Sequence, residues 1–262
     1  MAKRLTPHLR RPRPCGSSGL GALVLAISVL VTSPARAGAD PLDGPRTRIE
    51  LGYRDSDLAV IESARADLLI LASTGDRDAD PASAAYYAAY ARFRQALASV
   101  GDRTAARGYL EDCITELRVV VAQRPAYAEA RALLGSCYGM STFYDVLTTM
   151  TRGLEARRQM NEARRLAPDN PWVVMQDGLA DWATPRLFGG DRSRALLKLE
   201  RAAGLFATTG PVDSRFAAWG AAEAWQQLAL RYRELGRDSD AALAFDRASA
   251  VSAGRLQVAT LR

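Results

Sequence analysis

Eight residues near the C-terminus constrain this chain more than anything else in it. Trp225, Leu228, Ala229, Tyr232, Gly236, Ala241, Phe245 and Ala248 recur at offsets of three, four and seven, in two runs broken at Gly236. That period predicts two helices, each with one apolar face, joined by a glycine turn. Neither helix can cover its own stripe. The pair must therefore stack on further pairs, with Trp225, Tyr232 and Phe245 filling gaps and Ala229 and Ala248 allowing close approach.

Earlier segments repeat the theme. Asp57–Ala72 carries Leu58, Ile61, Ala64, Leu68 and Leu71 at helical spacing. Asp80-Pro81 reads as a cap and first helical residue, opening a helix to about Ser99 that bears Tyr86, Tyr87, Tyr90 and Phe93. Gly101 closes it, Asp102 caps the next over about 103–123, and Pro125 ends that one. Ala128–Tyr138 has Leu134, Gly135 and Tyr138, and its partner has Ala156, Met160, Ala163 and Pro168. Between them lies extra chain: Tyr138 to Ala156 is 18 positions, whereas Tyr232 to Ala241 is nine. The insertion, 139–152, predicts an extended helix or an added turn. Asn170-Pro171 caps a helix with Trp172, Met175, Gly178 and Trp182, and a loop at 185–191 leads to one with Ala195, Leu199 and Ala202. No strand-like alternation persists in 55–253.

These spacings resemble the tetratricopeptide repeat (TPR), whose first helix carries a Trp, a Leu-Gly pair and a Tyr, and whose second carries small, aromatic and small residues. The likeness covers 127–253 well and 55–123 only as helix pairs. It implies an all-α fold of antiparallel helix pairs stacked as a TPR-like α-solenoid over 55–253. An extended leader at 38–54, interrupted by Pro41, Gly44 and Pro45, precedes it, and a tail at 254–262 follows.

Residues 1–37 read as a secretory signal peptide. Lys3, Arg4, Arg10, Arg11 and Arg13 precede the short apolar run Leu20–Val31, and Ala35-Arg36-Ala37 offers small residues for cleavage. This predicts a periplasmic protein with no membrane insertion after cleavage. Removing the segment takes away six of 35 basic residues and no acid, leaving 29 of each sign. The basic character belongs to the leader, so there is no case for nucleic-acid binding. No run of like charge suggests a lipid-binding patch. Cys113 and Cys137 fall on neighbouring helices and are read either as two buried thiols or as a disulfide that an oxidising compartment permits.

The chemical inventory is thin. The one histidine, His8, is in the signal, which removes histidine-based catalysis and the commonest zinc ligand. Lys198 is the only lysine left, and no Gly-rich loop precedes it. Asp177 and Asp181, four apart, share a helix face, but a solvated or capping pair is the better reading than a two-carboxylate site. The expectation is no enzyme, no cofactor and no metal.

The TPR resemblance implies that the first helix of each pair lines a concave groove. Its positions map onto Glu129 and Ser136, then Trp172, Met175, Leu179 and Trp182, then Glu223, Gln226, Leu230 and Arg233. Trp172, Met175 and Trp182 either display an apolar binding patch or belong to the core. Arg186 either projects from its glycine turn toward a ligand or sits in a purely structural loop in which Asp191 caps a helix and Phe188 plugs the core edge. The expected function is a scaffold that mediates protein–protein interaction, holding a partner from the cell envelope in the groove. The alternative is a soluble solute-binding component of a transport system.

Overall fold

A computed structural model describes residues 40–74, 79–145, 147–208 and 216–260. Residues 1–37, read from the sequence as a secretory signal, lie outside the described residues. Ala39–Arg262 form one compact unit. The described residues hold ten α-helices and no strand: α1 (Asp43–Arg54), α2 (Leu58–Thr74), α3 (Pro81–Ala98), α4 (Arg103–Gln123), α5 (Ala128–Ser141), α6 (Thr149–Leu166), α7 (Pro171–Ala183), α8 (Arg192–Thr208), α9 (Phe216–Glu234) and α10 (Asp238–Thr260). They pair in sequence as five antiparallel hairpins, each packed on the next.

Local chemistry places the boundaries. Asp80 accepts a hydrogen bond from the Ser83 N–H, and Pro81 begins α3. The same carboxylate takes two 2.7 Å bonds from Arg124, just past α4. Those bonds hold the Asp80 carboxyl down at about 2. Asp102 caps α4, and Asn170 caps α7 ahead of Pro171. Gly236 ends α9 with φ of 72°, a conformation that glycine adopts without strain.

Two expectations at the edges are corrected. Residues 38–54 are not an extended leader, because α1 occupies Asp43–Arg54 and pairs with α2. Gly44 and Pro45 fall in its first turn, where a missing N–H costs nothing, and Ile49 is fully buried. At Gly52 a Cβ would lie 2.8 Å from Ile61, so glycine lets α2 cross closely. At the other end α10 runs on to Thr260, through most of the supposed tail. The insertion at 139–152 becomes the end of α5, a linker and the start of α6.

The core lies between hairpins. One cluster joins α1 through α5, and another joins α7 through α10. Trp172 packs against both. Its ring meets Phe206 edge-on, with centroids 5.3 Å apart. A Cβ at Gly220 would sit 2.6 Å from the indole, so α9 approaches it at a glycine. Tyr86 through Ala91 are buried without a break, which makes α3 a central helix with no solvent face along that stretch.

Cys113 on α4 and Cys137 on α5 form a disulfide, with Cα atoms 6.6 Å apart and both residues fully buried. The bond staples the second hairpin to the third. Closing a loop of about 25 residues restricts the unfolded chain by roughly 3 kcal/mol. Replacing both cysteines with serine should lower unfolding free energy by at least that amount in urea titrations. An unchanged midpoint would show that the bridge carries no stability.

Candidate functional site

The first helices of the hairpins, α1, α3, α5, α7 and α9, are the inner helices of the stack. Each touches the next, and α1 also touches α9, four hairpins away. Arg94 on α3 makes that closure. Its side chain is only 3% exposed, and it bridges Glu50 on α1 and Glu223 on α9. The guanidinium donates to Glu50 at 3.0 and 3.2 Å and to Glu223 at 2.5 and 3.0 Å. The Tyr90 hydroxyl donates to Glu50 at 2.5 Å. The rings of Tyr53 and Tyr90 lie 4.5 and 4.9 Å from the guanidinium carbon. A planar, permanently charged fork suits this bidentate, stacked setting, which lysine could not reproduce.

The electrostatics follow from one cation set between two carboxylates. Burial raises the Glu50 pKa, and the Arg94 charge only partly offsets it. Burial pushes the Tyr90 hydroxyl well above its usual range, with Arg94 opposing and the two carboxylates adding to it, so it stays a donor.

The seven residues expected to line the groove divide into two groups. Met175 is fully buried and Trp182 is 9% exposed, so neither stands on an open surface. Trp172 is half-buried between the two core clusters. The Trp182 indole donates to Glu234 at 3.0 Å, and Arg192 and Arg231 lie over its ring. Glu223 is held by Arg94. Arg186, Gln226 and Arg233 are exposed. Gln226, Leu230 and Arg233 follow one face of α9 at offsets of four and three, with Leu230 40% exposed. Of the other positions mapped to the groove, Ser136 donates to Gln176 at 2.7 Å, and Glu129 accepts from Asn170 at 2.6 Å.

The turn at 185–191 is built as its local chemistry requires. Gly189 has φ of 88°, and Asp191 accepts from the N–H groups of Ser193 and Arg194. A Cβ at Gly190 would sit 1.8 Å from the Thr184 carbonyl oxygen. Phe188 is 56% exposed, so it does not plug the core edge. Asp177 and Asp181 share Lys198, at 2.6 and 2.5 Å, and Asp181 also pairs with Arg194 at 2.8 Å. Burial opposes the Asp181 charge, but these cations prevail and lower its pKa. A carboxylate held ionised in this way is a poor general acid. Two surface clefts, of about 470 and 350 Å³, flank α6 and meet at Arg158. Arg131 and Arg165 line the larger and Arg118 and Arg152 the smaller, and both are open. Among the described residues, no group of carboxylates and cysteines has the geometry to hold a metal ion.

Solved structures share this fold. The HusA haemophore from Porphyromonas gingivalis superposes with a TM-score of 0.60 at 24% identity, over 76% of this chain and 96% of that one. A thermophilic TPR protein from Thermus thermophilus, TTC0263, superposes with a TM-score of 0.52 at 20% identity, over 82% and 97%. The fold is a TPR-like helical repeat. No protein-family model matches the sequence, and no curated protein matches it. Sequence reasoning about the TPR-like stack missed Arg94 and Glu50. Arg92 and Arg94, flanking Phe93 at the end of the aromatic run of α3, were the available signal, because a charge on a largely buried helix needs partners.

Replacing Arg94 with methionine leaves two carboxylates without their cation and should cost about 3–5 kcal/mol. Glu50→Gln leaves one cation facing one carboxylate and should cost far less. Because the folded pKa of Glu50 lies above its unfolded value near 4.3, its favourable contribution is complete below that value. It is lost as pH rises through the folded pKa. Stability of Glu50→Gln relative to wild type, measured by urea unfolding between pH 3 and 8, should therefore improve as pH rises. A constant difference would contradict this assignment.

Proposed function

We propose that this chain is a periplasmic scaffold that mediates protein–protein interaction without covalent chemistry. It holds a protein segment from the cell envelope against its inner surface, at the open stripe Gln226–Leu230–Arg233 on α9 and the neighbouring turn at Arg186. The observation that carries this reading is that stripe. It presents an amide, an aliphatic side chain and a guanidinium along one helix face, while Tyr86–Ala91 of α3 are buried throughout. Trp172, Met175, Trp182 and Glu223 serve here as the rigid support behind the stripe rather than as contacts, because packing and ion pairs already occupy them.

Three further features favour the reading. The N-terminal sequence has the form of a secretory signal. A buried disulfide suits an oxidising compartment. Among the described residues, no helix is long and apolar enough to cross a membrane. The move from fold to function is by analogy with helical-repeat scaffolds.

The alternative is a soluble solute-binding component of a transport system. It draws support from the likeness to HusA, a protein described as a haemophore. Haemin titration followed by visible absorption, with thermal unfolding alongside, separates the two. A saturating spectral change with a rise in Tm would favour the solute reading. A flat response keeps the scaffold reading.

A photoreactive residue placed at Gln226 or Arg233 should crosslink one discrete protein in the intact envelope, while the same residue at exposed Leu243 on α10 should not. Arg233→Glu should reduce the Gln226 adduct by at least tenfold. Identical products at all three positions, or none, would overturn the proposal.

A further inference from the structure

Six large apolar side chains are gathered on one edge of the third and fourth hairpins. Leu147 is 96% exposed and Leu187 89%, and Phe143, Met150, Leu154 and Phe188 are each more than half exposed. Met150 and Leu154 lie one turn apart on the first half of α6, on the side away from its buried Met160 and Ala163. The turn after α7 leans on the same helix, because Arg157 donates to the Phe188 carbonyl oxygen. The linker before α6 is anchored from α4. Arg103 donates to the Phe143 carbonyl oxygen at 3.1 Å, and Arg107 pairs with Asp145 at 3.3 Å. The apolar tips are thus presented on two turns braced by arginines at the Phe143 and Phe188 carbonyl oxygens.

The shape and charge of this edge select its occupant. Side chains as free as Leu147 and Leu187 project outward and do not line a recess, so they suit a soft, penetrable surface better than a rigid protein face. The bracing arginines hold the backbone at Phe143 and Phe188, which fixes the two turns that carry the apolar tips. Arg107 pairs with Asp145 and Arg158 with Glu155, whereas Arg103 and Arg157 donate to neutral carbonyl oxygens, so their charges are not spent on a carboxylate there, which favours an anionic surface. No contiguous charge run announces the patch in the sequence, because its parts come from α4, α6 and two separate turns.

We propose that this edge docks on an anionic phospholipid bilayer, with Leu147, Met150, Leu154 and Leu187 entering the headgroup boundary and the arginines facing lipid phosphates. It shares no residue with the stripe Gln226–Leu230–Arg233, though Leu187 adjoins Arg186 on one turn, and the two tests read different positions, Leu147 and Leu187 here and Gln226 and Arg233 there, so either can fail without the other.

The test uses Ala39–Arg262 with sedimented vesicles of phosphatidylglycerol and phosphatidylethanolamine, beside vesicles of phosphatidylcholine alone. The protein should partition onto the anionic vesicles and much less onto the neutral ones, and raising the salt should weaken it. Leu147→Asp with Leu187→Asp should reduce partitioning at least tenfold. Leu243→Asp, at an exposed site on α10, should leave it unchanged. Because all three positions are exposed, circular dichroism should show each variant folded. Absence of partitioning by the wild-type protein, or equal partitioning by the double variant, would overturn the proposal. So would a photoreactive residue at Leu147 that crosslinks in cells only to protein and never to lipid.

Discussion

The Arg94 guanidinium, clamped by Glu50 and Glu223, turns a row of hairpins into a closed arrangement. In a simple helical-repeat stack each unit touches only its neighbours, and stability is nearly a sum of nearest-neighbour terms. Here a residue on the second hairpin reaches both the first and the fifth. Taking three charges out of water is costly, and the cost is offset only because every lobe of the fork has an acceptor and two tyrosine rings flank it. The device therefore says less about raw stability than about geometry. It determines which inner helices meet, and so which inner surface remains open.

That closure accounts for where the candidate surfaces lie. Arg94 and its two carboxylates link α3 to α1 and α9, while further along α9 Gln226, Leu230 and Arg233 stay exposed. The aromatic residues that look most like binding anchors in the sequence are spent on structure. Trp172 joins the two halves of the core, and Trp182 ties α7 to α9 through Glu234. The third and fourth hairpins, lengthened beyond the repeat, supply the turns that carry the two most exposed leucines, Leu147 and Leu187.

Much of the architecture was legible from residue spacing, because capping and turn residues act locally. Asp80, Asp102, Asn170 and Gly236 each set a boundary by hydrogen bonds or backbone freedom within a few residues. The first helix was missed because Gly44 and Pro45 read as breakers when their place in a first turn is not visible. The site was less legible for a different reason. Arg94 and Glu223 are separated by 129 positions, and no periodicity reports such a pairing. Met175 has the same spacing whether its helix is turned toward solvent or core, and only the position of α8 and α9 decides between them. Cys113 and Cys137 could be placed on adjacent helices but not within bonding distance.

The central claim is that α1, α3 and α9 form one cooperative unit through Arg94. Amide hydrogen exchange in wild type and Arg94→Met, under conditions where both remain folded, tests it directly. The account predicts that the substitution speeds exchange in α1 and α9 together and leaves α6 and α8 near wild-type protection. Faster exchange confined to α3, with α1 and α9 unchanged, would contradict it.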